Sequence, residues 1–493
     1  TGGCDAFGAL RTPHPLADRL ATMFETADRS NAPDAELPSR WDRLQRYFVI
    51  GGALLVVLVS LWQSNADLRV SRYHPDESRW INRAPYLSEL RHPLSSFWSD
   101  GYLIRGQPPM GSYITGLGLA IQGYDLHENG PWNFSFGNDG DINWNVTYGN
   151  MPSADYILAA RHTSMAIGAL TCLCVYLIVT LLSNWIGGVI AGLFMGVHPL
   201  SVYLFTLGVS DAAFTFLVAL SVLAAIWLAR RPTWGRAILL GIVLGIGTSL
   251  KLSPIFVAIG LAAIGVGILV GPRLTRFRPV RWIWYRLGAD EWSVRRLGWM
   301  LIALPLIAGT FFVASYPYLW TDPVGRTNDL FEFRRAEMEN QSRIWGDAAI
   351  TGRFEVLGRT WDMLEVRYSA TGKFLVKAGI VEPRTGNPSG EEPGYDLPFA
   401  LAGLAIFAAT ALWRGFRSPQ FLAFLTLMGQ SGIILLGLNV DFDRYYLPLV
   451  LMFAIGLGVG VGEVSGWLLR ARERTPHAAH VPHPIEADPI RAG

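Results

Sequence analysis

Charged residues are scarce in this chain of 493 residues. Asp, Glu, Lys and Arg together make up 16% of it, against 51% hydrophobic residues, whereas soluble domains carry about 25% charged residues. The sequence has no run of basic residues of the kind that binds nucleic acid, and its net charge of +2 favours no class of partner. The composition therefore argues against an ordinary soluble domain and against a nucleic-acid-binding protein.

The chain also has few cysteines and no internal repeat. Of the three cysteines, Cys172 and Cys174 lie inside an apolar run, where small packing residues are a simpler interpretation than a redox or metal pair. No disulfide framework is predicted. The chain shows no internal repeat, which weakens the case for a transporter built from two repeated halves.

Long apolar runs are abundant. Several windows of 18 or more mostly apolar residues are long enough to cross a hydrocarbon core of about 30 Å, and only helices can cross on such runs. We therefore predict an all-α polytopic membrane protein whose outer loops carry interfacial helices, one of them at 108–123. About ten crossings are predicted, at 47–63, 158–183, 186–207, 209–229, 236–251, 254–271, 298–317, 397–413, 420–438 and 446–469.

Three regions follow from this pattern. The first apolar run starts too late for a cleaved signal peptide, so residues 1–46 are predicted to be a cytoplasmic N-terminal segment. Residues 47–469 form one membrane domain, and 470–493 form a cytoplasmic tail that is expected to be disordered.

Basic residues in the short loops predict the orientation of the chain. The loops 230–236, 271–296 and 413–419 are all basic and are assigned to the cytoplasm. The two long polar segments, about 64–157 and 318–396, then lie outside. This arrangement predicts a functional site on the non-cytoplasmic side.

The segment HPDESRW, which begins at His74, follows the first span directly. A carboxylate at this depth is partly desolvated, which suits Asp76 to accept a proton as a general base. Glu77 is a candidate to orient a substrate or to bind a metal. The structural alternative is a helix start, where acidic residues are favourable in the first turn.

Two arginines near the outer membrane edge are candidates for phosphate binding, because a guanidinium offers a planar fork of donors to phosphate oxygens. Arg105 precedes the prolines of RGQPPM, where the alternative is a plain loop-to-helix junction. Arg444 lies in DRYYLP beside Tyr445. There the alternative is an aromatic anchor with a snorkelling arginine.

Ionisable residues within apolar runs indicate function. His198, Asp211 and Lys251 all fall toward the outer ends of their predicted helices. They are therefore expected near the face that carries Asp76 and Arg444. Snorkelling is the alternative for Lys251.

No group of residues has a convincing metal-ligand spacing. The segment DGDIN (139–143) has a calcium-like appearance but lacks the full ligand pattern. No metal-binding residues and no obligatory cofactor are assigned, although the sequence is compatible with a divalent metal.

Taken together, these motifs resemble the GT-C membrane glycosyltransferases, and among them family 39, which holds protein O-mannosyltransferases and aminoarabinose transferases of lipid A. The resemblance extends over about residues 47–450. It rests on motifs that occur in order: HPDESRW, QPPMGSYITGLG, HPLSVYLFTLGVSDAAFTF, GTSLKLSPI, YPYLWTDPVGR and DRYYLP.

The resemblance implies a GT-C-like helical bundle and an inverting transfer of a sugar. The donor would be a polyprenyl-phosphate-linked sugar, and the acceptor a protein, glycan or lipid on the non-cytoplasmic side. Asp76 matches the base of the family, and Arg79 a basic residue near the donor phosphate. Gln107 departs from the family pattern, in which His or Lys often stands before the prolines, and Arg105 is the candidate replacement.

Two alternatives stay open from the sequence. One is a transporter or flippase of a lipid-linked substrate, and the other is a non-catalytic membrane subunit with a GT-C-like fold. Under the main hypothesis the protein lies in the plasma membrane of a prokaryote, with its active site facing outward.

Overall fold

The computed structural model describes residues 40–68, 73–99, 101–130, 132–135, 142–274, 278–366, 368–377 and 396–474. The predicted N-terminal segment up to residue 39 and the tail beyond residue 474 lie outside this part of the chain, as does most of DGDIN. The regular structure of the described residues is helical, apart from an isolated β-bridge between Ala349 and Val440. This confirms the predicted all-α class.

The α-helices are numbered in chain order. They are α1 Arg40–Asp67, α2 Pro75–Ile81, α3 Tyr86–Glu89, α4 Tyr102–Arg105, α5 Met110–Ile121, α6 Ile142–Thr147, α7 Ala154–Leu182, α8 Trp185–Val197, α9 Pro199–Phe205, α10 Asp211–Arg230, α11 Trp234–Thr248, α12 Ser253–Leu274, α13 Arg278–Arg286, α14 Trp292–Ala314, α15 Pro323–Ile344, α16 Arg353–Val366, α17 Ala370–Lys377, α18 Asp396–Arg414, α19 Pro419–Gly437 and α20 Leu447–Arg474. Short 3₁₀ turns at Ser96–Trp98, Pro317–Leu319, Gly346–Ala348, Gly415–Arg417 and Asp443–Tyr445 complete the described helical structure.

Eight helices of the described chain are long and apolar enough to cross a membrane, namely α1, α7, α10, α12, α14, α18, α19 and α20. The predicted crossing at 236–251 is the 15-residue helix α11. At 1.5 Å per residue it extends only about 22 Å, less than a hydrocarbon core of about 30 Å. The number of full-length spans is therefore smaller than the ten expected.

The predicted crossing at 186–207 is a bent pair of helices, α8 and α9, which meet at an angle of 64°. His198 lies at the bend with an extended backbone, and its Nδ1 accepts a hydrogen bond from the Leu200 N–H. The cause is Pro199, because a proline disfavours the helical conformation of the residue before it. If this pair is one broken span, the described residues contain nine spans.

Small residues let the spans approach closely. A Cβ atom on Gly187 of α8 would lie 2.2 Å from the Gly458 carbonyl oxygen of α20, and one on Gly403 of α18 would lie 2.6 Å from the Gly456 carbonyl oxygen. Such contacts between small residues are typical of packed membrane helices. Cys172 is buried and free in the same bundle, as is Cys174.

One end of the bundle collects the polar segments. α1 ends there and α7, α10, α12 and α20 begin there, and the short helix α11 returns the chain to it. The predicted interfacial helix at 108–123 is the 12-residue helix α5, which is too short to cross. It packs tightly on α2, since a Cβ on Gly111 would lie 2.2 Å from the Trp80 ring.

Candidate functional site

The short helix α2 presents Asp76 at this end of the bundle. Pro75 occupies its first position, and the His74 side chain accepts a hydrogen bond from the Asp76 N–H at 3.1 Å. Glu77 closes the capping box by accepting from the His74 N–H at 2.9 Å. Because the cap fixes the first turn, the sequence HPDE sends its two carboxylates in different directions.

Glu77 points into the bundle and is fully buried. Its two carboxylate oxygens accept hydrogen bonds from Arg161 of α7 at 2.7 and 2.8 Å. The Gly208 N–H donates a further bond at 2.8 Å, and Arg161 also donates to the Leu68 carbonyl oxygen at 3.0 Å. This network ties α2 to the end of α1, to α7 and to the turn before α10.

Asp76 points the other way and forms an ion pair with Arg444, which lies in the turn before α20. Both side chains keep about a quarter of their surface exposed. The guanidinium of Arg444 also lies over the rings of Phe442 and Tyr445, at 4.9 and 5.6 Å from their centroids. The structure thus joins two candidates that are 368 residues apart in sequence.

His74 lies beside this pair, with its Nδ1 3.9 Å from a carboxylate oxygen of Asp76. Burial, followed by the positive charge of Arg444, lowers the pKa of His74 to about 4. At neutral pH the imidazole is therefore uncharged. This agrees with its role as the hydrogen-bond acceptor of the helix cap.

Asp211 and Lys251 form a second ion pair beside the first. Their carboxylate and ammonium atoms are 2.5 Å apart. The ammonium lies 4.8 Å from the ring centroid of Phe214 and 5.8 Å from that of Tyr445. Tyr445 is therefore shared between the cations of Lys251 and Arg444.

These groups line a cavity of about 420 Å³. Six of the nine candidate residues line it, namely Asp76, Arg79, Asp211, Lys251, Arg444 and Tyr445. Among the described residues, the Arg79 side chain has no ion-pair or hydrogen-bond partner. The apolar part of the wall comes from α12 and α19, through Phe256, Ile433, Ile434, Leu438 and their neighbours.

The helix α15 adds cations that the sequence interpretation missed. Arg334 and Arg335 line the cavity together with Phe331, Met338 and Gln341, and the spacing of these residues places them on one helical face. Arg334 donates a hydrogen bond to the Gly106 carbonyl oxygen at 2.9 Å. The sequence shows the spacing of these residues, but only the structure shows that this face of α15 turns toward the cavity.

Three candidates do not line the cavity. Glu77 lies in the buried network, and His198 lies at the bend between α8 and α9. Arg105 points its guanidinium at the ring of Phe333, 5.4 Å from the centroid. Gln107, which departs from the family pattern, does line the cavity.

A clamp of hydrogen bonds holds the segment that carries Arg444. Asp441 accepts from the Ala370 N–H, and Asp443 accepts from the Ser369 N–H, each at 2.7 Å. Both donors lie at the start of α17, where backbone N–H groups attract carboxylates. Burial raises the pKa of Asp441. Sequence interpretation did not identify this clamp, because its donors are backbone groups of a distant loop.

The metal hypothesis finds no cluster to support it in the described part of the chain. No group of three or more His, Cys, Asp or Glu side chains there is arranged to hold a metal ion. The acidic residues of the cavity are paired with cations instead.

Comparison with known proteins gives one match by sequence. Residues 143–289 match the model of a family described as dolichyl-phosphate-mannose-protein mannosyltransferase. The matched part includes Asp211 and Lys251 but neither Asp76 nor Arg444. No curated protein matches the chain.

Several solved structures are remotely similar to this chain, among them structures of two membrane proteins. The archaeal oligosaccharyltransferase AglB from Archaeoglobus fulgidus, in complex with an inhibitory peptide and a dolichol-phosphate, is 13% identical, with a TM-score of 0.48 over 88% of this chain and 52% of AglB. ArnT from Cupriavidus metallidurans, bound to undecaprenyl phosphate, is 14% identical, with a TM-score of 0.44 over 87% of this chain and 63% of ArnT. This chain thus spans between half and two thirds of their lengths, and likenesses this remote carry no argument about activity.

The family-model match confirms, for the part that it covers, the resemblance that the motifs indicate. The chain is similar to family 39 of the GT-C membrane glycosyltransferases. The long apolar helices of the described residues agree with a protein embedded in a membrane.

Proposed function

We propose that this protein transfers a sugar from a polyprenyl-phosphate-linked donor to an acceptor hydroxyl, with inversion and with Asp76 as the general base. The observation that carries the proposal is the contact between Asp76 and Arg444 inside a cavity that also contains Arg79 and Lys251. A base and a set of cations in one cavity is what displacement of a phosphate leaving group requires.

The donor phosphate would bind the cations. Among the described residues, Arg79 has a guanidinium without an ion-pair or hydrogen-bond partner, and Arg444 contacts the partly exposed Asp76 and two aromatic rings. A phosphodiester that enters the cavity can pair with both. In doing so it draws Arg444 away from Asp76 and leaves that carboxylate free to act.

The chemical step is a single displacement. The acceptor hydroxyl gives its proton to the Asp76 carboxylate, and its oxygen forms a bond to the anomeric carbon from the face opposite the phosphate. The bond between that carbon and the phosphate oxygen breaks, and the oxygen keeps the electron pair. Arg79 and Arg444 stabilise the additional negative charge on the departing polyprenyl phosphate.

The shape of the cavity suits a lipid-linked donor. Phe256 of α12 and Ile433 of α19 give one wall an apolar surface, while the charged residues lie at the helix ends. An apolar chain can follow the helices while its phosphate stays at their ends. We infer that the donor enters from the membrane between these two helices.

The remaining candidates have supporting roles in this proposal. Glu77 positions Asp76 by fixing α2 and does not touch the substrate, because it is fully buried. Lys251, neutralised by Asp211, holds Tyr445 against the guanidinium of Arg444. No metal is required by this mechanism.

The proposal also assigns the side of the membrane that the cavity faces. The basic loops 230–236 and 271–296 belong to the end of the bundle opposite the cavity, and basic loops are retained in the cytoplasm. The cavity would then face the non-cytoplasmic side of a prokaryotic plasma membrane.

The test is the variant Asp76→Asn, which keeps the size of the side chain and removes the base. We expect transfer of radiolabelled sugar from polyprenyl phosphate to fall by about 10² to 10⁴, the usual contribution of a general base. Binding of undecaprenyl phosphate should persist, and the melting temperature should change little.

Normal transfer by that variant would remove Asp76 as the base. Movement of an intact lipid-linked sugar across vesicles that contain the wild-type protein, without transfer to any acceptor, would support the transporter alternative instead.

A further inference from the structure

The helix α13 lies at the end of the bundle opposite the cavity. α12 begins beside the cavity at Ser253 and ends at Leu274, and α13 follows at Arg278 and leads to α14 at Trp292. Because α12 and α14 are both candidate spans, the helix between their ends lies at the level of a membrane surface. Its sequence is RPVRWIWYR.

The bundle holds α13 rigidly by one tryptophan. The Trp284 ring stacks on Phe416, with 5.3 Å between centroids and 8° between planes. The same ring fills a notch on α12, since a Cβ on Gly267 or Gly271 would lie 3.0 or 2.7 Å from it. Glycines four residues apart are needed there, because any side chain would displace the ring.

A backbone bond and a glycine turn fix the end of the helix. The Phe416 N–H donates to the Leu287 carbonyl oxygen at 3.0 Å. Gly288 then takes a φ of +83°, which reverses the chain toward α14 at little cost only for glycine. The orientation of α13 is therefore set by the fold.

The opposite side of α13 is exposed and positively charged. Arg278, Arg281 and Arg286 are all exposed. Helical spacing places Arg278 and Arg286 on the half of the helix away from Trp284, and Arg281 on the flank between the two sides. Trp282 lies among them with 62% of its surface exposed. The helix therefore combines cations and an amphipathic aromatic ring on one exposed side.

Two tryptophans hold one of these cations in place. The guanidinium of Arg286 lies 5.7 Å from the ring centroid of Trp282 and 5.2 Å from that of Trp413. Trp413 is itself 67% exposed. Large exposed tryptophan rings beside arginines are typical of the depth at which lipid headgroups meet acyl chains.

We propose that α13 is a binding surface for the headgroups of anionic phospholipids, on the end of the bundle opposite the catalytic cavity. The three arginines pair with headgroup phosphates, and Trp282 and Trp413 lie at the boundary of the acyl chains. The notch of Gly267 and Gly271 keeps this surface facing the membrane plane. This binding does not depend on the chemistry proposed for the cavity.

The test compares lipids in neutral detergent. We expect phosphatidylglycerol to raise the melting temperature of the full chain by several degrees more than phosphatidylcholine does. The triple variant R278Q/R281Q/R286Q should lose this difference. Since each basic residue near an anionic surface changes affinity about fivefold, the variant should bind phosphatidylglycerol about 100-fold more weakly in a lipid titration.

Two control proteins separate charge, position and folding. The variant R278K/R281K/R286K keeps the charges and should keep most of the phosphatidylglycerol shift. The variant R91Q/R343Q/K377Q removes three exposed cations at the cavity end and should keep all of it. Native mass spectrometry should show fewer retained phosphatidylglycerol molecules only for R278Q/R281Q/R286Q.

Three results would overturn the proposal. The first is an equal phosphatidylglycerol shift in R278Q/R281Q/R286Q and in wild type. The second is an equal shift from inorganic phosphate, which would indicate an anion site without lipid specificity. The third is a difference in oligomeric mass between wild type and that variant, measured by light scattering, that does not depend on the lipid present. It would indicate a contact between copies of the chain.

Discussion

Asp76 and Glu77 are adjacent, and each pairs with an arginine from a distant part of the chain, yet the two ion pairs differ in nearly every physical respect. Glu77 and Arg161 keep 0% and 5% of their side-chain surfaces exposed, whereas Asp76 and Arg444 keep 28% and 24%. Glu77 accepts four hydrogen bonds in the bundle. Asp76 and Arg444 line the cavity.

The difference shows that two adjacent residues of one helical turn can have different roles, one structural and one at the cavity. Breaking a buried pair leaves an uncompensated charge in a medium of low polarity, so such a pair is retained as a structural unit. A partly exposed pair costs less to separate than a buried one, so an incoming anion can take one partner. The turn HPDE thus supplies both a fixed anchor and an exchangeable pair.

Removing the anchor should give the largest effect. We expect Glu77→Ala to destabilise the protein by about 3–5 kcal/mol, because Arg161 would remain buried without its counter-charge. Thermal unfolding in detergent measures this change. The double variant E77A/R161A should be less destabilised than the sum of the single variants, and a purely additive result would contradict the view that the two residues act as one unit.

Removing the cation of the exchangeable pair should act on binding instead of folding. We expect Arg444→Ala to weaken binding of polyprenyl phosphate by about 10- to 100-fold, the range for losing a charge-assisted hydrogen bond. Acceptor affinity and the melting temperature should change less. Arg343→Ala, at the end of α15 and outside the cavity lining, is the matched control. Unchanged donor binding in Arg444→Ala would rule out the phosphate role.

The smallest effect should come from the histidine between the two pairs, and it should be seen only in acid. The pKa of His74 is lowered to about 4 from its ordinary value of 6.5. As the pH falls, the unfolded chain takes up a proton on His74 before the folded chain does. The contribution of the neutral His74 to the free energy of unfolding is therefore fully present above pH 6.5 and is lost as the pH falls toward 4. We expect His74→Asn, which can still cap α2, to show a flatter dependence of melting temperature on pH over this range. A parallel dependence in both proteins would exclude His74 as the titrating group.

The convergence of the cavity residues was predictable from sequence because each lies at the end of an apolar run. Asp76 follows the first span, Asp211 begins another, and Arg444 precedes the last. Alternating spans fix the side of the membrane for every such position. The position of a residue relative to the end of a span therefore predicts its depth in the membrane, and this position can be read from the sequence.

The direction in which a side chain points was not predictable in the same way. Glu77 seemed as good a candidate as Asp76, but about 100° of helical rotation separates the neighbours, and the cap decides which one faces the bundle. Its partner Arg161 lies inside the predicted crossing at 158–183, where an ionisable residue is itself a signal of function, but the sequence does not show which carboxylate it meets. The cations of α15 were missed because a polar outer helix shows no apolar periodicity that would reveal its inner face.

The separation of these pairs along the chain sets an order for biosynthesis. Glu77 is made 84 residues before Arg161 and 131 residues before Gly208, so a nascent chain carries an unsatisfied carboxylate until α7 has been inserted. Arg444 is made 368 residues after Asp76. The buried network can therefore assemble early in translation, whereas the contact between Asp76 and Arg444 can form only after the turn before α20 has been made.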